Sequence, residues 1–259
     1  MGKRVVALVA AAVMLLSFAA CGKKQSAENQ KPETTVNQVT ERKVFIIGFY
    51  EDAEPFGYTD ENGTYHGFDL EIGKELARRL GVTLNLRAVT RENALSELES
   101  GSIDFLGNNL FLTDDALDRL EETDEIFENR QVIVTKSDSG IENQSQLSDK
   151  KVGVIKGEKS QEALADEKGL AKKVQQVEIA NRTEALAMLG DGRVDALVID
   201  EAWAYAQMEK GSELRLVGKA IADDDYSVVL RSQDEELCKK VNELIKEMRN
   251  DGTLDKLTK

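Results

Sequence analysis

Short apolar runs alternate along the chain with stretches whose apolar residues recur at helical spacing. The runs predict buried strands at 44–48, 82–86, 131–135, 151–155, 174–179, 194–199, 214–217 and 226–230. The helical stretches predict helices at 69–80, 160–164, 182–189, 201–210 and 234–249. This alternation is typical of α/β proteins, in which helices cover both faces of mainly parallel sheets.

One unit of this pattern occurs twice. The stretch from Arg182 to Asp200 reads as a helix, a glycine turn and a buried strand that ends on a carboxylate, and the stretch from Arg91 to Asn109 repeats it 91 positions earlier. Two copies at so long a separation do not make a solenoid. They predict two similar α/β lobes. Ligands of α/β folds bind at the carboxyl ends of strands, so Asp200 is a candidate ligand residue.

The N-terminus reads as a targeting segment. Lys3 and Arg4 precede an apolar run at 5–16 that is too short to span a bilayer. Residues 16–21 resemble a bacterial lipobox, which predicts a signal peptide at 1–20 and lipidation of Cys21. An ordinary signal peptide with a chance cysteine is the alternative. Residues 21–42 are polar, and we expect them to form a flexible tether.

Charge and composition exclude several classes of function. The net charge is −14, and removal of the two cations in residues 1–20 makes it −16, which argues against nucleic acid as a partner. With His66 as the single histidine and Cys238 as the other cysteine, we expect no metal site and no cofactor.

Several short motifs occur in a characteristic order: Glu54-Pro55-Phe56, Asn62-Gly63, 67–71, Leu98 with Gly101 and Ile103-Asp104, 147–154, 192–197 and 251–254. By these motifs the chain resembles, from about residue 44 to the end, the bacterial extracellular solute-binding proteins of family 3. The resemblance implies a type II periplasmic-binding-protein fold, with two α/β lobes and a hinge of two crossover strands. It places lobe 1 at 43–128 plus 227–259 and lobe 2 at 129–226.

The resemblance also implies a function. The chain would be a monomeric receptor that captures an amino acid or an amino-acid-like amine by hinge closure and delivers it to an ABC permease. A lipid anchor would hold it on the extracytoplasmic side of the membrane, at the cell surface or in the periplasm. Two alternatives stay open: a degenerate sensor or adhesin, and a dehydratase-like enzyme for which Glu158 and Lys159 are the only titratable pair near the cleft.

The site residues follow from the family pattern and its departures. In such proteins a lobe 2 aspartate, matched here by Asp200, binds the α-ammonium, and an arginine binds the α-carboxylate. Ala116 stands in that arginine's place, so the carboxylate half of the site is rebuilt from other residues or lost. We expect Arg91, then Arg119, to take its role, with Arg182 solvated at the start of the equivalent helix. The remaining candidates are Tyr50, Asn109, Phe111, Thr113, Lys159 and Ser160.

Overall fold

The computed structural model describes residues 35–257, in which helices and strands alternate. The helices are α1 (Thr35–Arg42), α2 (Phe68–Leu80), α3 (Ala94–Glu99), α4 (Asp114–Leu117), α5 (Lys159–Asp166), α6 (Lys168–Ala171), α7 (Arg182–Gly190), α8 (Glu201–Glu209), α9 (Glu235–Asn250) and α10 (Thr253–Leu257). The strands are β1 (Val44–Tyr50), β2 (Asp52–Ala53), β3 (Gly57–Thr59), β4 (Tyr65–His66), β5 (Thr83–Val89), β6 (Phe105–Leu106), β7 (Leu120–Glu122), β8 (Arg130–Lys136), β9 (Lys151–Ile155), β10 (Gln175–Ile179), β11 (Ala196–Asp200), β12 (Leu214–Leu216), β13 (Ala222–Asp223) and β14 (Val229–Arg231).

The first large sheet has the strand order β5-β1-β6-β14-β7. Strands β5, β1 and β6 are parallel, whereas β14 runs antiparallel to both of its neighbours. Strand β14 belongs to the last part of the chain, so this sheet joins the two ends of the fold. Helices α2 and α3 pack on it, and fully buried side chains such as Phe45 and Ile47 form its core.

The second large sheet has the order β10-β9-β11-β8-β12, with β13 also paired to β8. Strands β10, β9 and β11 are parallel. Strand β8 is apolar on both faces, because Val132 and Val134 enter one core cluster and Ile133 enters the other. Both faces of this sheet are therefore covered, as expected for parallel α/β sheets.

The chain passes between the two sheets twice, and the two passages lie side by side. Phe127 forms an antiparallel bridge with Tyr226, and Gln131 pairs with Ala222. The predicted fold class, with two α/β lobes joined by two crossover strands, is confirmed. The residue bounds assigned to each lobe stay a prediction.

The predicted tether is wrong at its carboxyl end. Residues 35–42 form helix α1, which packs against α9, and Val39 is fully buried. Arg42 at the end of α1 pairs with Asp104. The signal peptide and Cys21 lie outside the described residues. Within residues 35–257, no helix has the length and apolarity needed to cross a bilayer.

The helix predicted at 69–80 starts slightly differently, which places Asp69 inside its first turn. Helix α2 begins one residue earlier, with Gly67 at the cap position. The Asp69 carboxylate is fully buried and accepts a hydrogen bond of 2.5 Å from the Tyr226 hydroxyl on the second crossover. Burial raises the pKa of Asp69 to about 7, although the bond from Tyr226 opposes that rise. The link between lobe 1 and the hinge therefore contains a carboxyl group that resists ionisation.

This burial predicts a pH dependence of stability. In the unfolded chain Asp69 loses its proton near pH ~3.9, whereas in the fold it keeps the proton up to about pH 7. The folded state thus binds the extra proton, and the Asp69 contribution to the free energy of unfolding falls as the pH rises from 4 to 7. We expect Asp69→Asn to remove part of that fall, worth at most a few kcal/mol at ~1.4 kcal/mol per pKa unit.

Urea unfolding of both proteins between pH 5 and pH 8 measures this difference. Asp138→Asn is the matched control, because the side chain of Asp138 is 70% exposed. Parallel pH profiles for the wild type and Asp69→Asn would contradict the prediction.

Candidate functional site

Three charged side chains meet at one edge of the lobe 2 sheet. Glu158 follows β9, Arg182 begins α7 just after β10, and Asp200 is the last residue of β11. Because β10, β9 and β11 are adjacent parallel strands, their carboxyl ends lie together. Ligands bind at such an edge in open α/β sheets.

Arg182 is the centre of this group. Its Nη2 lies 2.9 Å from Glu158 Oε2, and its Nη1 lies 2.5 Å from Asp200 Oδ2. The side chain is only 5% exposed, so the predicted solvated position is wrong. Desolvation by burial lowers the pKa of Arg182, but the two carboxylates outweigh it and the pKa is raised. The group is a buried guanidinium whose charge two acids balance.

Asp200 is fully buried, and both of its oxygens face groups of the protein, although Oδ2 makes no well-aligned hydrogen bond within the described part of the chain. Oδ1 accepts a hydrogen bond of 2.8 Å from the backbone N–H of Trp203 and so caps helix α8. Oδ2 faces Arg182. The residue predicted to receive a ligand ammonium already has a guanidinium as its partner.

Arg91 brings a second guanidinium to the same acid from lobe 1. Its Nη2 lies 3.0 Å from Glu158 Oε1, and its Nη1 lies 2.8 Å from Asp52 Oδ2. The Arg91 side chain is 22% exposed, whereas Glu158 is buried. Glu158 therefore lies between two cations, one from each lobe. We call Arg91, Glu158, Arg182 and Asp200 the cleft ion cluster.

Aromatic rings complete the cluster. The guanidinium carbons of Arg91 and Arg182 lie 4.7 and 4.3 Å from the centroid of the Phe111 ring, within cation–π range. The Tyr50 ring packs edge-on against Phe111 at 5.1 Å, and the buried Tyr50 hydroxyl has no hydrogen-bond partner in the described part of the chain. Burial raises the pKa of Tyr50, and nearby Arg91 opposes that rise.

Lys159 lies beside the cluster but contacts different acids. Its Nζ is 3.4 Å from Asp114 Oδ1 and 3.7 Å from Asp224 Oδ1. Thr113 precedes Asp114 and stands at the start of helix α4 without a side-chain capping bond. The Ser160 hydroxyl is buried and accepts a hydrogen bond of 2.9 Å from the Ile155 N–H, so it serves the fold of lobe 2.

Asn109 lies apart from the cleft ion cluster and joins lobe 1 to the second crossover. Its Nδ2 donates to Glu122 Oε1 at 3.2 Å and to the carbonyl of Asp225 at 3.0 Å, and its Oδ1 accepts from the Ser227 N–H at 3.0 Å. Its amide is therefore committed to the fold. Arg119, the second candidate for the ligand anion, is exposed and donates to the Asp115 carbonyl.

Three charged residues of this region were missed or misjudged from the sequence. Glu158 was considered only as an acid–base candidate, Arg182 as a surface residue, and Asp224 was not considered. Asp224 lies just after β13 with its side chain buried, and desolvation raises its pKa to about 7 despite the bond from Gln131. The triplet 223–225 offers three acids in a row, and nothing local marks the middle one as buried.

A crevice between the lobes reaches the cluster from solvent. It has a volume of about 470 Å³ and exposes one side of Arg182. Lobe 1 contributes acids to its wall, and lobe 2 contributes the exposed sides of α7 and α8. The lining residues are Asp52, Glu54, Arg182, Thr183, Leu186, Ala187, Trp203, Gln207 and Lys210.

Comparison with known proteins identifies a family whose sequence pattern this chain matches. Residues 45–259 match the bacterial extracellular solute-binding proteins, family 3. The L-cystine-binding protein of Escherichia coli is 30% identical over 232 residues, which cover 87% of this chain and 85% of that protein. An ABC uptake transporter substrate-binding protein from Streptococcus pneumoniae with bound histidine superposes with a TM-score of 0.76 at 25% identity, covering 85% and 93% of the two chains. An ancestral amino-acid-binding protein described as a precursor of cyclohexadienyl dehydratase gives 0.72 at 29% identity, covering 86% and 97%.

The cleft ion cluster predicts a large effect of one substitution on stability. Arg182→Gln leaves Glu158 and Asp200 with less compensation in a buried place, and breaking such a pair costs about 3–5 kcal/mol. Arg193→Gln is the control, because Arg193 is 52% exposed and lies 3.8 Å from Asp191. We expect it to cost less than ~1 kcal/mol. Equal losses for the two variants in urea unfolding would refute a stabilising role for the cluster.

Proposed function

Because this chain belongs to the bacterial extracellular solute-binding proteins of family 3, we propose that it captures an amino acid or an amino-acid-like amine for an ABC importer. The solute would enter the cleft between the lobes and be enclosed by bending at the two crossover strands. The relatives named above bind cystine and histidine. Membership of the family therefore does not identify the amino acid, which depends on the side chains of the site.

The observation that carries this proposal is the cleft ion cluster shared by the two lobes. Arg91 from lobe 1 contacts Glu158 of lobe 2, so closure of the cleft brings opposite charges together. A small zwitterion needs donors for its anion and an acid for its cation, and both are present within this cluster and around Lys159. Arg91 is the more exposed guanidinium of the cluster, at 22% against 5% for Arg182, and we propose that it receives the solute anion.

The anchoring and the partners belong to the same proposal. The lipobox resemblance at 16–21 supports lipidation of Cys21, which would hold the receptor at the membrane beside its permease. We propose a monomer on the extracytoplasmic side, at the cell surface or in the periplasm.

A binding role is favoured over catalysis by the surroundings of the one acid–base candidate. Glu158 has both oxygens engaged by guanidinium groups, from Arg91 at 3.0 Å and from Arg182 at 2.9 Å. A general base needs a free oxygen within hydrogen-bond reach of the substrate proton. The structural relative connected with a dehydratase is itself described as an amino-acid-binding protein.

The first experiment identifies the solute. Small molecules released by denaturing the purified protein are analysed by mass spectrometry, and the refolded protein is then tested against a panel of amino acids and amines for an increase in melting temperature. A binding protein gains stability from its ligand by mass action. A panel without effect and a preparation without any released solute would favour the sensor or adhesin alternative.

Tryptophan fluorescence offers a sharper prediction. Trp203 is the only tryptophan of the chain and its ring lies 6.0 Å from the Arg182 guanidinium. We expect its emission to change on titration with the solute, and Arg91→Gln to weaken binding about 10-fold or more through loss of a charge-assisted contact. Arg87→Gln, on the exposed face of β5, is the control. Unchanged affinity in Arg91→Gln would remove Arg91 from the site.

A further inference from the structure

Arg182 and Lys159, both from lobe 2, each contact a fully buried acid, and the two cations are held very differently. Arg182 makes close contacts of 2.9 and 2.5 Å with two buried carboxylates and lies over two aromatic rings. Lys159 is 20% exposed and remains 3.4 and 3.7 Å from its acids. Charge-assisted hydrogen bonds are shorter, at ~2.7–2.9 Å. Lys159 is thus the weakly held cation of the pair.

The close contact of Arg182 limits access to Asp200, the acid that the sequence pattern identifies as a candidate for binding the solute ammonium. A solute ammonium would have to remove the Arg182 guanidinium to reach Asp200 Oδ2, while Oδ1 caps helix α8. Removal of one member of a buried ion pair leaves the other charge uncompensated and is strongly unfavourable. Asp200 is therefore not available to a solute cation.

Asp224 differs from Asp200 in the cation that faces it. Oδ2 of Asp200 also lacks a well-aligned hydrogen bond, but the Arg182 guanidinium lies 2.5 Å from it, whereas the ammonium that faces Asp224 Oδ1 lies at 3.7 Å. Its side chain is fully buried at the hinge side of the cleft, where Oδ2 accepts a hydrogen bond of 2.7 Å from Gln131 Nε2. Oδ1 has no hydrogen-bond partner among the described residues and faces the Lys159 ammonium. A buried carboxylate oxygen without a hydrogen-bond partner is costly, and a better placed donor would relieve that cost.

We propose that Asp224, rather than Asp200, receives the cationic group of the solute, and that the Lys159 ammonium marks that position and gives way to the solute. This inference rests on the proposed function and names the acid that recognises the amine. A primary ammonium fits, because Oδ1 faces the ammonium of Lys159, whose other contact is Asp114 on lobe 1. The solute cation would then take over a charge contact with both lobes.

The assignment is tested with ethylammonium chloride, which carries the ammonium and little else. Binding is followed by the melting temperature at pH 8 and at pH 9.5, because the pKa of Asp224 is about 7 in the wild type and the loss of Lys159, which lowers that pKa, raises it in the variant. Sodium chloride at equal concentration corrects for ionic strength. In Lys159→Met the internal competitor is gone, and an apolar stem of similar length remains. We expect apparent binding ~10-fold tighter than in the wild type, as for a site that Lys159 fills about nine-tenths of the time.

Two further variants locate the acid. Asp224→Asn in the Lys159→Met background should lose the ethylammonium response about 10-fold or more, whereas Asp223→Asn, an exposed neighbour, should keep it. The assignment is overturned if Lys159→Met gains no response over the wild type. It is also overturned if Asp200→Asn abolishes the response while Asp224→Asn keeps it.

The result is independent of the natural solute. Failure of the amino-acid panel with an intact ethylammonium response would remove the proposed transport function and leave the cation position at Asp224. Success of the panel without an ethylammonium gain in Lys159→Met would keep the receptor function and place its ammonium site elsewhere.

Discussion

The buried guanidinium of Arg182 is the interaction on which the cleft of this protein depends. Taking a charge out of water is expensive, and the expense is offset only when the partners are close and well placed. Lobe 2 meets this condition because β9, β10 and β11 end side by side, so that Glu158, Arg182 and Asp200 come from three successive strand ends. The face of Phe111 adds a further contact.

The same cluster couples the two lobes. Glu158 accepts contacts from Arg182 within its own lobe and from Arg91 across the cleft. The approach of lobe 1 therefore adds a second cation to an acid that is already paired. Such contacts between buried and half-buried charges are less screened by salt than surface ion pairs. Closure of the cleft therefore changes how the buried charge of Glu158 is compensated.

The charged side chains of the cleft differ in how deeply they are buried and how closely they are paired. Arg182 and Asp200 are buried as a close ion pair, whereas Arg91 and Lys159 keep partial exposure and have longer or shared contacts. The family pattern identifies Asp200 by its position at the end of a strand. In this chain that carboxylate already faces the Arg182 guanidinium, and this contact is the reason for proposing Asp224 as the acid that meets the solute cation.

The sequence by itself determined the alternation of strands and helices, the two lobes and the carboxylate at the end of β11. These features depend on periodicity and turn residues, which are local. It misjudged residues 35–42 and Arg182. Partners distant in the sequence decide their surroundings: α9 for residues 35–42, and Glu158 with Asp200 for Arg182. Only the tertiary structure decided which charges meet, because strand order and lobe approach, not sequence spacing, set the distances between them.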